Sequence, residues 1–137
     1  MKYLLDINVL LAAIWANHPQ YHEAEAWLNG KSVVVCPISE LGFLRISTHK
    51  KTIAAPMKDA RKALGKFLSE TKATRIGDDL PALESHPANS NQVTDLYLAA
   101  LADRHGYKLA TFDGGIRHAA VELIKAAGTD GGAGSRR

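Results

Sequence analysis

Cysteine and long apolar runs are scarce in this 137-residue sequence, and each scarcity excludes a class of protein. The single cysteine, Cys36, excludes an internal disulfide framework and a cysteine-rich zinc site. No stretch approaches the roughly 18 consecutive apolar residues of a membrane-spanning helix. Lys2 precedes an apolar run, but Asp6 and Asn8 interrupt it, so we expect no secretory signal peptide. With 46% hydrophobic residues, the chain is expected to form one soluble domain in the cytoplasm.

Positive charge is concentrated in one segment rather than spread along the chain. Residues 45–75 hold nine lysines and arginines against two acids, whereas the whole chain has a formal net charge of only +3. A basic segment beside an acidic remainder indicates a polyanionic partner, although a solvated helix face gives the same pattern. Within this segment, residues 56–69 show an apolar stripe at helical spacing with a basic outer side. The candidate residues for contact with such a partner, RNA among the possible polyanions, are Arg45, Lys58, Arg61, Lys62 and Lys66.

Short apolar runs alternate with helical patterns along the chain. We predict strands at 3–5, 33–35, 74–77, 107–111 and 121–124, and helices at 9–16, 19–28, from Pro37, at 56–69 and from Val93 to the stop at Gly106. Residues 78–91 have a loop composition. The alternation predicts an α/β domain over residues 1–127, with a mostly parallel central sheet flanked by helices. Residues 128–137 are rich in glycine and are expected to form a flexible tail.

Four carboxylates fall where this topology brings distant parts of the chain together. Asp6 closes the first strand, Asp113 follows the strand that ends near Thr111, and Glu40 and Asp95 begin helices. In a parallel sheet, the carboxyl ends of strands and the amino ends of the following helices share one edge, where ligands usually bind. The sequence therefore predicts an acidic cluster at this edge.

Such a cluster needs compensation, because carboxylates close together raise each other's pKa values and lower stability. Protonation, a basic partner or a divalent cation would each supply it. Hard cations such as Mg²⁺ or Mn²⁺ prefer carboxylate oxygens and retain waters that can act on a phosphodiester. The acids also have purely structural interpretations: Asp95 in a first turn suits the helix dipole, and Asp113 before two glycines suits a turn.

Other potential motifs are weaker. His18 and His22 are four residues apart, but Pro19 lies between them and no HExxH pattern is present, so we expect surface histidines. His105 is expected at a helix carboxyl end, and Cys36 as a small buried residue.

Four segments together resemble the conserved motifs of PIN-domain nucleases, and the chain length is similar to that of the VapC-type toxins of bacterial toxin–antitoxin modules. These segments are Leu4–Leu10, Pro37–Arg45, Thr94–Ala102 and Leu109–Asp113. The resemblance implies that Asp6, Glu40, Asp95 and Asp113 are the catalytic and metal-binding acids. It also implies that Asn8 and Thr111 support them. This chain departs from the family pattern after Asp113, where two glycines follow and no fifth acid is near, so the number of metal ions stays open.

The resemblance further implies a function and partners. The protein would be an Mg²⁺- or Mn²⁺-dependent endoribonuclease, usually a homodimer, that cuts structured RNA such as tRNA or rRNA through a metal-activated water. A cognate VapB-type antitoxin would inhibit it.

Two alternatives from other classes stay open. A phosphatase with Asp6 as nucleophile would need a second aspartate two residues later, where this chain has Asn8. A non-catalytic RNA- or partner-binding PIN-like module would bind metal or RNA without cutting.

Overall fold

The computed structural model describes residues 1–125 and shows five strands and five α-helices, with one or two helices between successive strands up to β4 and none between β4 and β5. The strands are β1 (Lys2–Leu5), β2 (Ser32–Val35), β3 (Thr74–Arg75), β4 (Lys108–Thr111) and β5 (Val121–Leu123). The helices are α1 (Ile7–Ile14), α2 (Tyr21–Leu28), α3 (Pro37–Thr48), α4 (Met57–Thr71) and α5 (Val93–Arg104). Two 3₁₀ turns, Ala82–Glu84 and Ser90–Gln92, lie in the loop before α5. The predicted domain end at 127 and the predicted tail over 128–137 lie outside the described residues.

The five strands form one sheet in the order β3-β2-β1-β4-β5, and every neighbouring pair is parallel. The chain moves outward from β1 to β2 and β3, then crosses to the other side for β4 and β5. This reversal makes the gap beyond the carboxyl ends of β1 and β4 the topological switch point, where parallel sheets usually bind ligands. The predicted mostly parallel α/β fold is confirmed.

The sheet is buried on both faces, as its uninterrupted apolar strands predict. Successive residues of β1 point to opposite sides: Leu4 packs in a cluster with Leu98 of α5, whereas Leu5 packs in a cluster with Phe43 of α3. All four of these side chains are fully buried. Helices therefore hold the sheet from both sides and fix the positions of the strand ends.

Element boundaries differ from the sequence prediction at several helix starts. Helix α1 begins two residues earlier than predicted, because Asp6 caps it directly after β1. Helix α2 begins at Tyr21 rather than Pro19. Helix α5 begins at Val93, where the sequence pattern also begins: the polar Ser90 and Asn91 before it suggest an N-cap, but Gln92 is the N-cap and the side chain of Asn89 caps the preceding 3₁₀ turn. Within residues 1–125, no helix has the length and apolarity needed to cross a membrane.

Candidate active site

Asp6 is held at the end of β1 by two hydrogen bonds. The backbone N–H of Ile7 donates to its Oδ1 at 2.8 Å, and the Thr111 hydroxyl donates to its Oδ2 at 2.8 Å. The side chain is only 4% exposed. Burial raises the pKa of Asp6, the two hydrogen bonds oppose this rise, and the nearby charge of Asp113 adds to it. Asp6 is therefore a rigid carboxylate in an environment that disfavours its own charge.

Thr111, at the end of β4, connects the acidic residues of the two central strands. Its hydroxyl donates to Asp6 and accepts from the side-chain amide of Asn8 at 3.2 Å and the backbone N–H of Asp113 at 3.0 Å. One donor and two lone pairs are all that a threonine hydroxyl has, so its bonding capacity is filled. The Oδ1 atom of Asn8 accepts in turn from the N–H of Phe112 at 3.3 Å. Asn8 and Thr111 thus lie next to Asp6 and fix its geometry.

Asp95 and Asp113 complete an electrostatically coupled group with Asp6, and we call these three residues the aspartate triad. Asp95 lies in the first turn of α5, half-buried, and lines one groove with Asp6 and a second, smaller hollow with Asp113. Burial raises the pKa of Asp95, and the charges of Asp6 and Asp113 raise it further. The exposed Asp113 also makes a turn, because its Oδ1 accepts from the N–H of Gly115 at 2.8 Å. The triad therefore lies at the switch point of the sheet.

The chemistry of this donor set fits a divalent cation. None of the ion pairs found within residues 1–125 involves the aspartate triad, so its mutual repulsion is not relieved by a basic side chain there. Carboxylate oxygens are the ligands that Mg²⁺ and Mn²⁺ prefer. In the described part of the chain, no three His, Cys, Asp or Glu side chains are already arranged as a metal cage. Binding a cation would thus require the carboxylates to turn inward or to bind through waters.

Glu40 is at the expected sheet edge, but its carboxylate faces away from the triad. It begins α3 and accepts hydrogen bonds from Nη2 of Arg75 at 3.1 and 3.4 Å. The Glu40 side chain is 14% exposed and that of Arg75 is 68% exposed. The pair lines a separate hollow between α3 and α4. The charge partner of the Glu40 carboxylate in this structure is therefore an arginine.

Helical phase explains this placement of Glu40. Ile38, Gly42 and Arg45 share the α3 face that lines the groove with Asp6 and Asp95. Glu40 and Leu44 line the hollow on the α4 side. Residues three and four apart share a helix face, so position 40 falls outside the 38–42–45 series.

The candidate RNA-contacting residues divide into two groups. Arg45 is exposed and lines the groove that contains Asp6 and Asp95. The other four are exposed on α4, as predicted from its apolar stripe: Lys58, Arg61, Lys62 and Lys66. Lys66 lies 4.0 Å from Glu70 in a surface ion pair.

Sequence reasoning missed two arginines that lie next to the acids. Arg75 ends β3 and pairs with Glu40, and Arg117 lines the hollow that contains Asp95 and Asp113. The predicted strand at 74–77 contains Arg75 in its interior, but in the structure this strand ends at Arg75, which places the residue at the same edge as Asp6. Nothing in the sequence around Arg117 indicated its position.

The weaker motifs have structural roles. The ring of His18 accepts from the N–H of Gln20 at 3.0 Å, and His22 is exposed. His105 ends α5 as predicted, and its Nε2 lies 3.0 Å from Oδ1 of Asp79. Cys36 is buried, as predicted.

Comparison with known proteins identifies the class to which this fold and site belong. A PIN-domain family profile matches residues 3–122. Ribonuclease VapC38 of Mycobacterium tuberculosis (strain ATCC 25618 / H37Rv) is 33% identical over 126 residues, which is 82% of this chain and 86% of the relative. Ribonuclease VapC39 of M. tuberculosis (strain CDC 1551 / Oshkosh) is 32% identical over 131 residues, or 88% and 94%. The chain therefore belongs to the PIN-domain family and, within it, to the VapC-type proteins.

Two solved structures share this fold. A toxin–antitoxin complex from Klebsiella pneumoniae has a TM-score of 0.60 at 16% identity, covering 91% of this chain and 99% of its own. VapBC2 from Rickettsia felis, bound to a DNA fragment from its promoter, has a TM-score of 0.56 at 19% identity, covering 82% and 88%. At this level of identity, the likeness concerns the fold.

Proposed function

We propose that this protein is a divalent-metal-dependent endoribonuclease and the toxin of a VapBC-type module. The observation that carries the proposal is the aspartate triad. Three acids from positions 6, 95 and 113 meet at the switch point of the sheet, and two of them have raised pKa values. A divalent cation would relieve this repulsion, and acids with raised pKa values are often found at functional sites. The relatives named ribonucleases support RNA as the substrate.

Some residues of the site are proposed to bind the cation, and others position the residues that bind it. Asp6 and Asp95 are proposed to hold Mg²⁺ or Mn²⁺, and Asp113 to contribute directly or through a water. The Thr111 hydroxyl holds Asp6 in place by a hydrogen bond, and the Asn8 side chain in turn holds Thr111 by another. When bound, the cation supplies acidification of a water and neutralisation of charge on the phosphate. Asp6, which its hydrogen bonds hold in one position, would determine where that charge can be neutralised.

Glu40 is proposed as the fourth acid, and it must give up Arg75 to join the others. A pair in which one partner is largely exposed contributes at most about 1 kcal/mol, so exchange of the partner costs little. The released Arg75 would remain at the same edge as a cation for the RNA backbone.

Basic residues are proposed to hold the RNA backbone beside the acids. Arg45 lines the acidic groove itself and would contact a phosphate close to the cleaved bond. The α4 residues Lys58, Arg61, Lys62 and Lys66 would add affinity through phosphate contacts that read little sequence.

The partners follow from the same assignment. We propose a cognate VapB-type antitoxin as inhibitor, a homodimer as the active form, and structured RNA such as tRNA or rRNA as the cytoplasmic substrate. The neighbouring fold in a toxin–antitoxin complex supports the antitoxin. Light scattering of the purified chain with and without the antitoxin measures both assemblies.

The test is cleavage of purified tRNA and rRNA in Mg²⁺, with sequencing of the new RNA ends. Asp6→Asn and Asp95→Asn should each abolish cleavage, and chelation should do the same to the unmodified protein. Asp103→Asn is the matched control, because Asp103 is an exposed acid near the other end of α5. Full activity in either active-site variant would contradict the proposal. A protein that binds RNA and Mn²⁺ but never cuts would instead be a binding module.

A further inference from the structure

A further hollow, distinct from the two hollows of Asp113 and Glu40, adjoins the groove that contains Asp6 and Asp95. It lies between the loop before α5 and the start of α5 itself. Ile38 and Thr94 line both the hollow and the acidic groove, so the two are continuous. Thr94 is also the residue directly before Asp95. A ligand in this hollow would therefore lie next to the aspartate triad.

The size and the lining of the hollow suit one ring system. Its volume is about 320 Å³, at the small end of the roughly 300–1,000 Å³ of ligand clefts. The lining is mainly apolar and comes from Ile38, Leu80, Pro87, Val93 and Tyr97. Val93 at the mouth is 51% exposed. An apolar hollow of this size has room for one planar ring system.

Ser85 provides one unsatisfied polar group in this lining. Its hydroxyl oxygen is the one buried side-chain oxygen or nitrogen in residues 1–125 without a hydrogen-bond partner. Such a group destabilises the free protein unless something binds to it. Ser85 lines the hollow, and a rotation about χ1 would bring its hydroxyl towards a bound ligand.

The walls of the hollow are held in place before any ligand binds. The hydroxyl of Tyr97 donates to the backbone oxygen of Leu80 at 2.8 Å, which ties the loop to α5. Asp79 adds an ion pair with Arg104 and a contact with His105 at the end of the same helix. A preformed pocket loses less entropy when it binds.

We propose that this hollow binds one nucleobase of the RNA, turned out of its strand beside the phosphate that is cleaved. The inference rests on the proposed ribonuclease function and adds a site that reads sequence. A base has apolar faces and a polar edge, which match the apolar walls and the single hydroxyl. Proteins recognise unstacked RNA bases in this way, between apolar or aromatic side chains and with hydrogen bonds to the base edge.

The first test needs no cleavage and uses the four nucleosides as probes. Methyl NMR of Ile38, Leu80 and Val93 should show shifts on titration with at least one nucleoside in the absence of metal. Ala82→Phe fills the hollow and should abolish these shifts. Ala88→Phe is the matched control, since Ala88 is exposed on the same loop and does not line the hollow. No shift with any nucleoside, or equal shifts in Ala82→Phe, would overturn the assignment.

The second test measures sequence preference on a randomised RNA. The unmodified protein should prefer one base at a fixed distance from the cut, and Ser85→Ala should reduce that preference by about three- to tenfold, the effect of one hydrogen bond. Ser90→Ala, in the exposed turn of the same loop, should leave the preference unchanged. A preference that survives both Ser85→Ala and Ala82→Phe would overturn the proposed base site while leaving the ribonuclease function intact. Absence of all cleavage would contradict the ribonuclease function, and the nucleoside titration would still decide whether the hollow binds a base.

Discussion

Replacement of Thr111 by valine tests whether the hydroxyl of this residue organises the site. Valine keeps the volume of threonine but removes the group that bonds Asp6, Asn8 and the backbone of Asp113. Thr111 is fully buried, so water cannot replace the hydroxyl at that position. The side-chain contact to Asp6 is a hydrogen bond to a carboxylate, and such a bond contributes about 1.5–3 kcal/mol. Asn8 is partly exposed and Asp113 is exposed, so both can replace their lost hydrogen bonds to Thr111 with hydrogen bonds to water.

We therefore expect Thr111→Val to lower the free energy of unfolding by about 2–3 kcal/mol in urea titrations of metal-free protein. Thr111→Ser is the matched control: it keeps the hydroxyl and removes one buried methyl group, at a cost of about 1 kcal/mol. Comparison of the two variants distinguishes the contribution of the hydrogen bonds to stability from the contribution of side-chain packing. Equal losses in both variants would refute the reasoning.

The deficit of Thr111→Val should also depend on pH. Loss of the Thr111 donor raises the pKa of Asp6 above its already raised value. A carboxyl whose pKa is higher in the folded protein than in the unfolded chain, where it is 3.8, favours folding most in acid. That contribution is lost as the pH rises through the folded-state pKa. The deficit should therefore grow from acidic to neutral pH, and a deficit independent of pH would contradict this account.

Two further predictions concern packing and RNA binding. Gly42→Ala should lower the free energy of unfolding by about 1–3 kcal/mol, because the new Cβ would lie only 2.7 Å from Cγ1 of Ile7. Gly65→Ala, in open space within α4, should instead raise the free energy of unfolding by about 0.5–1 kcal/mol. Urea unfolding measures both changes, and a Gly42→Ala protein of unchanged stability would contradict the close approach of α3 to α1. Arg45→Gln should reduce the slope of log affinity for RNA against log salt by about 0.7–0.9, measured in chelator, whereas Lys72→Gln, at the opposite edge of the sheet, should not. Equal slopes for the two variants would remove Arg45 from the RNA interface.

The sequence was sufficient to predict the fold and the meeting of the aspartate triad. Short apolar runs separated by helical patterns allow little besides a parallel sheet, and chain direction then places Asp6 and Asp113 at the same edge. Asp95 follows because a helix between parallel strands must run back along the sheet. These inferences need only the order of elements, which hydrophobic periodicity reports well.

The orientation of individual side chains could not be predicted in the same way. Glu40 is at the expected edge, but its helical phase turns it towards α4, and its pairing with Arg75 depends on β3 lying beside β2. The hollow at Ser85 is formed by an irregular loop whose path no periodicity describes. Such details depend on long-range packing rather than on local pattern.

The central claim is that the aspartate triad forms one divalent-cation site, and calorimetric titration of the metal-free protein with Mn²⁺ tests it most directly. The unmodified protein should bind Mn²⁺, and Asp6→Asn and Asp95→Asn should each weaken binding by roughly 10–100-fold or more, since even residues that only support a ligand have effects of this size. Asp103→Asn should bind as the unmodified protein does. Mn²⁺ binding that is unchanged in both Asp6→Asn and Asp95→Asn would contradict the claim.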